Sequence, residues 1–351
     1  MIASVTIING LTTFTRARFL PVDGHVIARV GQRVTPATVL AEATVAPHIE
    51  VLDARPVFSG IPRERMNSMI QREVGEKVDK GDIIIETGGR INRVLRATAA
   101  GVVRSISSTQ VLIQVKKKPF RLRAAYTGMV TEIIARRGVM LQMQGTLAQG
   151  VWGNGHHATG KLITASFDPR KLLEPDHMRG ECVDSIVLAG RLRDPESLTR
   201  AQELPIRGLI VGSLSSHILP LAVKMPFPIL VTSGFSPAGM DDSSFRLLSS
   251  NKGRNISVVA MSWDRHQGIR PEAFIPLESD NLRMVQEMIE FRSGQTVRVN
   301  TLPYMPQVGS IVNIHTEPVM LPNGLMARSA DVALKNGQQI LVPLNNLDVL
   351  E

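Results

Sequence analysis

The spacing of apolar and polar positions changes character along the chain. Over the first part they alternate in short runs closed by glycine, the period-two mark of half-buried strands. Between 180 and 262 the apolar runs become continuous: Ser185-Ile-Val-Leu-Ala-Gly190, Leu209-Ile-Val-Gly212, Ile229-Leu-Val-Thr232 and Ile256-Ser-Val-Val-Ala260. Helical stretches separate them. Asp194-Pro-Glu offers an N-cap and a first-turn proline ahead of Leu198, Ala201 and Leu204; 215–225 reads as helix despite Pro220; Asp241-Asp242 caps a helix over 241–250. Strands alternating with helices predict a parallel sheet with crossovers. Ser279 or Asp280 caps a predicted helix over 279–292, with Leu282, Val285, Met288 and Ile289 on one face and Gly294 as its stop. After it, Asn323-Gly324 and Asn336-Gly337 predict hairpin turns, with Val332 and Leu334 alternating into the second and Ile340 and Val342 out of it. This is a compact β-barrel pattern.

The first part also repeats itself. Gly31-Gln-Arg-Val34 leads to Leu40 and Glu42, and Gly75-Glu-Lys-Val78 leads to Ile84 and Glu86 at the same spacing. A second echo matches Ala97, Gly101, Val103 and Ile106 to Ala124, Gly128, Val130 and Ile133. The series Gly75, Val78, Gly81, Ile84, then Ala97, Gly101 and Val103 resembles the barrel-sandwich hybrid family of biotinyl and lipoyl carrier domains. Carriers in that family present a modifiable lysine on the hairpin between the half-motifs. Here the hairpin reads Glu86-Thr-Gly-Gly-Arg90-Ile-Asn92, without lysine. The resemblance therefore implies a docking or structural module with no attached cofactor. Residues 146–160 hold four glycines and read as a loop or linker closing this region.

Two further resemblances concern the rest of the chain. Pro303-Tyr-Met-Pro-Gln-Val-Gly309-Ser-Ile-Val312 is similar to the glycine-centred motif of KOW modules in SH3-like barrels, which contact RNA or protein. The run from Gly212 through Ser216-His217 to Ala222 and Pro228 resembles the phosphohistidine swivelling domain, in which the histidine carries a phosphoryl group. That resemblance implies His217 as a phospho-acceptor. Ser213, Val223 and Pro226 depart from the pattern, and no Gly-rich phosphate loop accompanies it. The expected fold class is thus multidomain α+β. It comprises a β-rich barrel-sandwich-like region at 1–160, an α/β parallel-sheet domain at 161–278, a connecting helix at 279–294 and an SH3/KOW-like β-barrel at 295–351.

Composition narrows the function classes. The single cysteine, Cys182, excludes an intramolecular disulfide framework and Cys-rich metal sites, so a cytoplasmic chain is expected. No apolar run approaches the ~18–20 residues of a membrane helix. The start, Met1 to Asn9, reads as a first strand rather than a signal peptide. Aromatic residues are 4%, too sparse for a base-stacking platform. The net charge of +9 is concentrated: residues 90–137 carry eleven Lys/Arg and one acid, Glu132, while the remainder nearly balances. Lys116, Lys117, Lys118, Arg121, Arg123, Arg136 and Arg137 are the candidate anion- or nucleic-acid-binding residues. An alternative is that they protect strand edges as solvated charges. His156-His157 and the scattered histidines lack metal-ligand spacing, so no metal or cofactor is expected. The expected function is non-catalytic binding or assembly, with protein partners, an anionic partner (nucleic acid or acidic protein) and a second copy of the chain all in view. The alternatives are a transcription- or translation-associated nucleic-acid-binding factor and a phosphotransfer component using His217.

Overall fold

The computed structural model describes residues 2–350 apart from 7, 46–47, 89–91, 116–118, 265–268, 278–287, 302 and 305–306. Strands dominate and form several sheets, whose strand orders all run from one free edge to another. No helix among the described residues is long and apolar enough to cross a membrane.

The two echoes fold as one unit nested inside another. In the inner copy, Gly75 N–H donates to Val103 O and Val103 N–H to Glu76 O, while Ala97 N–H donates to Asp82 O. In the outer copy, Gly31 N–H donates to Val130 O, Val130 N–H to Gln32 O, and Ala124 N–H to Thr38 O. The correspondence holds at constant offsets, 31 to 75 and 97 to 124. Lys77–Val78 pairs with Gly101–Val102, and Arg33–Val34 with Gly128–Met129. Gly101 and Gly128 share a steric reason: an added Cβ would lie 2.5 Å from Gln114 O in one and 2.4 Å from Gln142 O in the other. Val34 and Val78 are buried at matching positions, as are Leu40 and Ile84. The inner unit occupies the connection between Val39–Ala43 and Phe120–Arg123, two strands of the outer unit that pair antiparallel. It has its own core around Phe58, Ile84, Val103 and Ile113. Arg90, on the hairpin between the paired strands Ile83–Glu86 and Val94–Arg96, lies outside the described residues.

The largest sheet is 11-stranded. Its spine is the long strand Gly138–Gln149, which pairs with Ile8–Phe19, with Gly128–Ile134 over its first half and with Glu272–Pro276 over its second. The sheet continues without a break across 160/161. His157–Thr164 pairs antiparallel with Asn255–Val259 and parallel with Ser185–Leu192, followed by parallel Gly208–Leu214 and Ile229–Gly234. These last strands are buried on both faces, which explains their continuous apolar runs. Helix Pro195–Glu203 is capped by Asp194, whose side chain accepts from Glu196 N–H; helix Asp242–Ser249 is capped by Asp241, which accepts from Ser244 N–H.

Four expectations are corrected. Residues 146–160 are not a linker: Thr146 and Gln149 are buried in the spine strand, and Gly153 lies so close to Ala260 that a Cβ would meet its carbonyl oxygen. Gly150, Gly153 and Gly160 sit where a Cβ would crowd a neighbour, and only Gly155, with φ +88°, turns the chain. The helix over 215–225 is interrupted, with a 3₁₀ turn Ser216–Ile218 followed by helix Leu219–Ala222, where Pro220 can sit only in the first turn. Of the predicted helix over 279–292, residues 279–287 lie outside the described ones, and Met288–Glu290 is a strand. It pairs antiparallel with Ile2–Ser4, so a sheet ladder overrides the local periodicity. The C-terminal strands do not close into a barrel. Ser329–Leu334 and Gln339–Pro343 form the predicted hairpin around Gly337 (φ +84°), but the far strand, Leu347–Leu350, takes the N-terminal Val5 and Thr6 as a parallel neighbour. The resulting seven-stranded sheet is open, with the start of the chain lying between Leu347–Leu350 and the edge strand Met288–Glu290.

Candidate functional site

The site is built on one face of the strand Ile8–Phe19. Side chains two apart share a face, so Phe14, Arg16 and Arg18 stand in a row. Phe14 is buried edge-on against Phe274, with ring centroids 5.4 Å apart. Beyond it the row turns basic. The Arg16 guanidinium lies 5.0 Å from the Phe14 ring centre and forks onto Glu272, with Nε to Oε1 at 2.9 Å and Nη2 to Oε2 at 2.8 Å. Glu272 is 1% exposed. Tyr126 donates its hydroxyl to Glu272 Oε1 at 2.5 Å. Burial, then the Glu272 charge, pushes the Tyr126 phenol well above its ordinary pKa, so it remains a donor. The backbone aims this side chain from Ala125, which adopts φ 63° and donates its N–H to Pro36 O.

Around this anchored carboxylate opens a cavity of about 770 Å³. Arg16, Arg18, Arg137 and Arg270 all line it, and Glu272 is its one acid among the described residues. Arg18 lies 6.0 Å from the Tyr126 ring centre and donates from Nη2 to Arg123 O at 3.2 Å. Its buried Nε has no hydrogen-bond partner among the described residues. Arg270 stacks at 4.3 Å on Trp263 and reaches Asp348 at 3.4 Å, which ties this wall to the C-terminal sheet. Phe19, Met261 and Ile269 add exposed apolar surface to the lining. The cavity thus offers several guanidinium donors, one carboxylate already engaged by Arg16 and Tyr126, and an apolar rim. That combination suits an anionic group carried on an apolar body.

The residues singled out from sequence make the following contacts. Lys116, Lys117 and Lys118 lie outside the described residues. Arg121 is exposed and pairs with Glu42 at 2.8 Å. Arg123 donates to Ala37 O at 3.0 Å. Its counterpart in the inner copy, Arg96, donates to Gly81 O at 2.8 Å, so this arginine serves the repeat. Arg136 and Arg137 share Asp23, at 3.3 and 3.6 Å, and of the arginines singled out Arg137 alone lines the cavity. His217 is exposed, with Nδ1 3.0 Å from Ser215 Oγ, and sits elsewhere, at the carboxyl ends of the parallel strands. Cys182 is buried, and burial pushes its thiol pKa up.

Arg16, Arg18, Arg270, Glu272 and Tyr126 are the site residues that sequence reasoning missed. The signal was the strand-spaced Arg16-Ala-Arg18 pair, which charge counting over longer windows averaged away. No family model matches the chain, and no curated protein matches it.

Proposed function

We propose that the protein is a non-catalytic binding protein that takes an acidic segment of a partner protein into the Arg16–Arg18–Arg137–Arg270 cavity. The observation carrying this reading is the convergence of four arginines on one cavity whose single carboxylate is already engaged. Charge complementarity supports an anionic occupant, and the exposed Phe19, Met261 and Ile269 support one with apolar side chains between its acids. A nucleic acid is less well served, because Tyr126 is buried and Phe19 is the one exposed aromatic ring in the lining. In this reading the nested strand units of 1–160 act as barrel-sandwich-like docking modules without a carrier lysine, and the protein works in the cytoplasm.

The test is fluorescence anisotropy with a labelled peptide alternating Glu and Leu, run beside labelled single-stranded DNA. Peptide binding is expected to weaken with salt, and to weaken roughly tenfold in Arg18→Ala, the loss of a charged hydrogen-bond donor. Unchanged affinity in Arg18→Ala would remove the cavity from the reading. Preferential, salt-steep binding of DNA would assign the protein to nucleic acid instead.

A further inference from the structure

A second cationic pocket lies at the carboxyl ends of the parallel strands, away from the Glu272 cavity. Along one face of these strands, Val187 and Ala189, Leu209 and Val211, and Ile229 and Val231 pack into a single apolar cluster. At the carboxyl ends of the same strands, past a register shift between Val211 and Ser213, Arg191, Arg193, Ser213, Ser215 and Phe235 come together. With His217 they enclose about 200 Å³. The core stripe therefore ends in a polar patch where ligands of open α/β sheets bind.

The chemistry of the patch is unbalanced. None of its nine lining residues is acidic. Neither guanidinium has a side-chain hydrogen bond or ion pair among the described residues, and the hydroxyl of Ser213, which is 3% exposed, has no partner there either. Two cations two residues apart repel each other, and a small anion relieves that repulsion. Ser215 Oγ engages His217 Nδ1 and leaves Nε2 without a partner among the described residues.

We propose that this pocket is a non-covalent binding site for phosphate, free or as a small monoester. Arg191 and Arg193 supply the charge, Ser213 and Ser215 the hydroxyls, and His217 the rim. The site does not depend on the reading of the larger cavity.

The experiment is histidine-selective NMR on the full chain, with the His217 signal assigned through His217→Gln. Inorganic phosphate should shift that signal saturably at millimolar concentration or below. Arg193→Gln, at an exposed position, and Arg191→Gln should each weaken the effect roughly tenfold or more. Arg18→Ala should leave it unchanged. Glycerol phosphate in a parallel titration separates a monoester site, which binds it more tightly, from a free-phosphate site, which binds it less tightly. Absence of a saturable shift, its persistence in both arginine variants, or its loss in Arg18→Ala would overturn the proposal.

Discussion

Asp241 and Arg298 couple the C-terminal sheet to the large one, and breaking that pair should cost far more than replacing it whole. Arg298, on the strand Thr296–Val299, is 0% exposed. Its Nη1 donates to Thr232 O at 2.9 Å, its Nη2 lies 3.5 Å from Asp241 Oδ2, and its Nε has no partner among the described residues. Asp241 is also the cap of the helix Asp242–Ser249, taking Ser244 N–H at 2.9 Å and Ser244 Oγ–H at 2.8 Å. Two charges at this separation attract by roughly 4 kcal/mol at an effective dielectric of about 20, which offsets much of their desolvation.

Asp241→Asn keeps a capping oxygen but leaves the guanidinium buried without its counter-charge. Arg298→Met keeps the stem volume but leaves the carboxylate unpaired. Each should cost about 3–5 kcal/mol. The double variant removes both charges, so it should cost only about 1–2 kcal/mol, with a coupling of several kcal/mol between the sites. Urea unfolding followed by far-ultraviolet circular dichroism measures all three. Single variants that each lose less than about 1 kcal/mol, or a double variant equal to their sum, would refute the argument that this pair is held by mutual charge compensation.

The Arg55 guanidinium, bonded to the half-buried Asp53, holds its carboxyl down at about 2 against an ordinary 3.8. A depressed carboxyl stabilises the fold above its unfolded value, and that contribution disappears as pH falls from about 3.8 through about 2. Carbon NMR should show the low midpoint in the native protein and its return toward 3.8 in Arg55→Ala; equal midpoints would reject the assignment. In a Tyr304→Phe background, the Tyr126 phenol should stay neutral above pH 10, because burial raises its pKa. Its contribution is complete below the unfolded value near 10 and is lost as pH rises beyond it, so phenolate absorbance should appear together with loss of the circular dichroism signal. Reversible ionisation near 10 in the folded chain would contradict this. Gly101→Ala and Gly128→Ala should destabilise by similar amounts, about 1–3 kcal/mol each, since both force a Cβ against a carbonyl oxygen. A large difference in urea unfolding would break the equivalence of the nested units.

What could be read from the chain was whatever short-range chemistry determines. Asp194 and Asp241 cap their helices through residues two and three positions on. Gly337 turns its hairpin with the positive φ that Asn-Gly predicts, and the glycine echoes fold alike because each uses the same local bonds. Where distant partners decide, local pattern misleads. Met288 and Ile289 fit a helical stripe, yet they pair with the first strand of the chain. Arg16 meets Glu272 across 256 residues, and no window of sequence contains both. The basic run shows the same division most clearly. Its charge is contiguous from 90 to 137, but the chain leaves the inner unit and re-enters the outer one within that stretch. Arg96 then braces Gly81 in one copy, while Arg123 braces Ala37 in the other. The stretch is shared between two units, and the described candidates Arg121, Arg123, Arg136 and Arg137 all belong to the outer one. The arginines that do converge, Arg16, Arg18, Arg137 and Arg270, come from separate segments whose local charge is unremarkable except at Arg137. In a fold with one unit inserted into another, neighbours in sequence separate at the insertion, so charge must be counted over the folded surface.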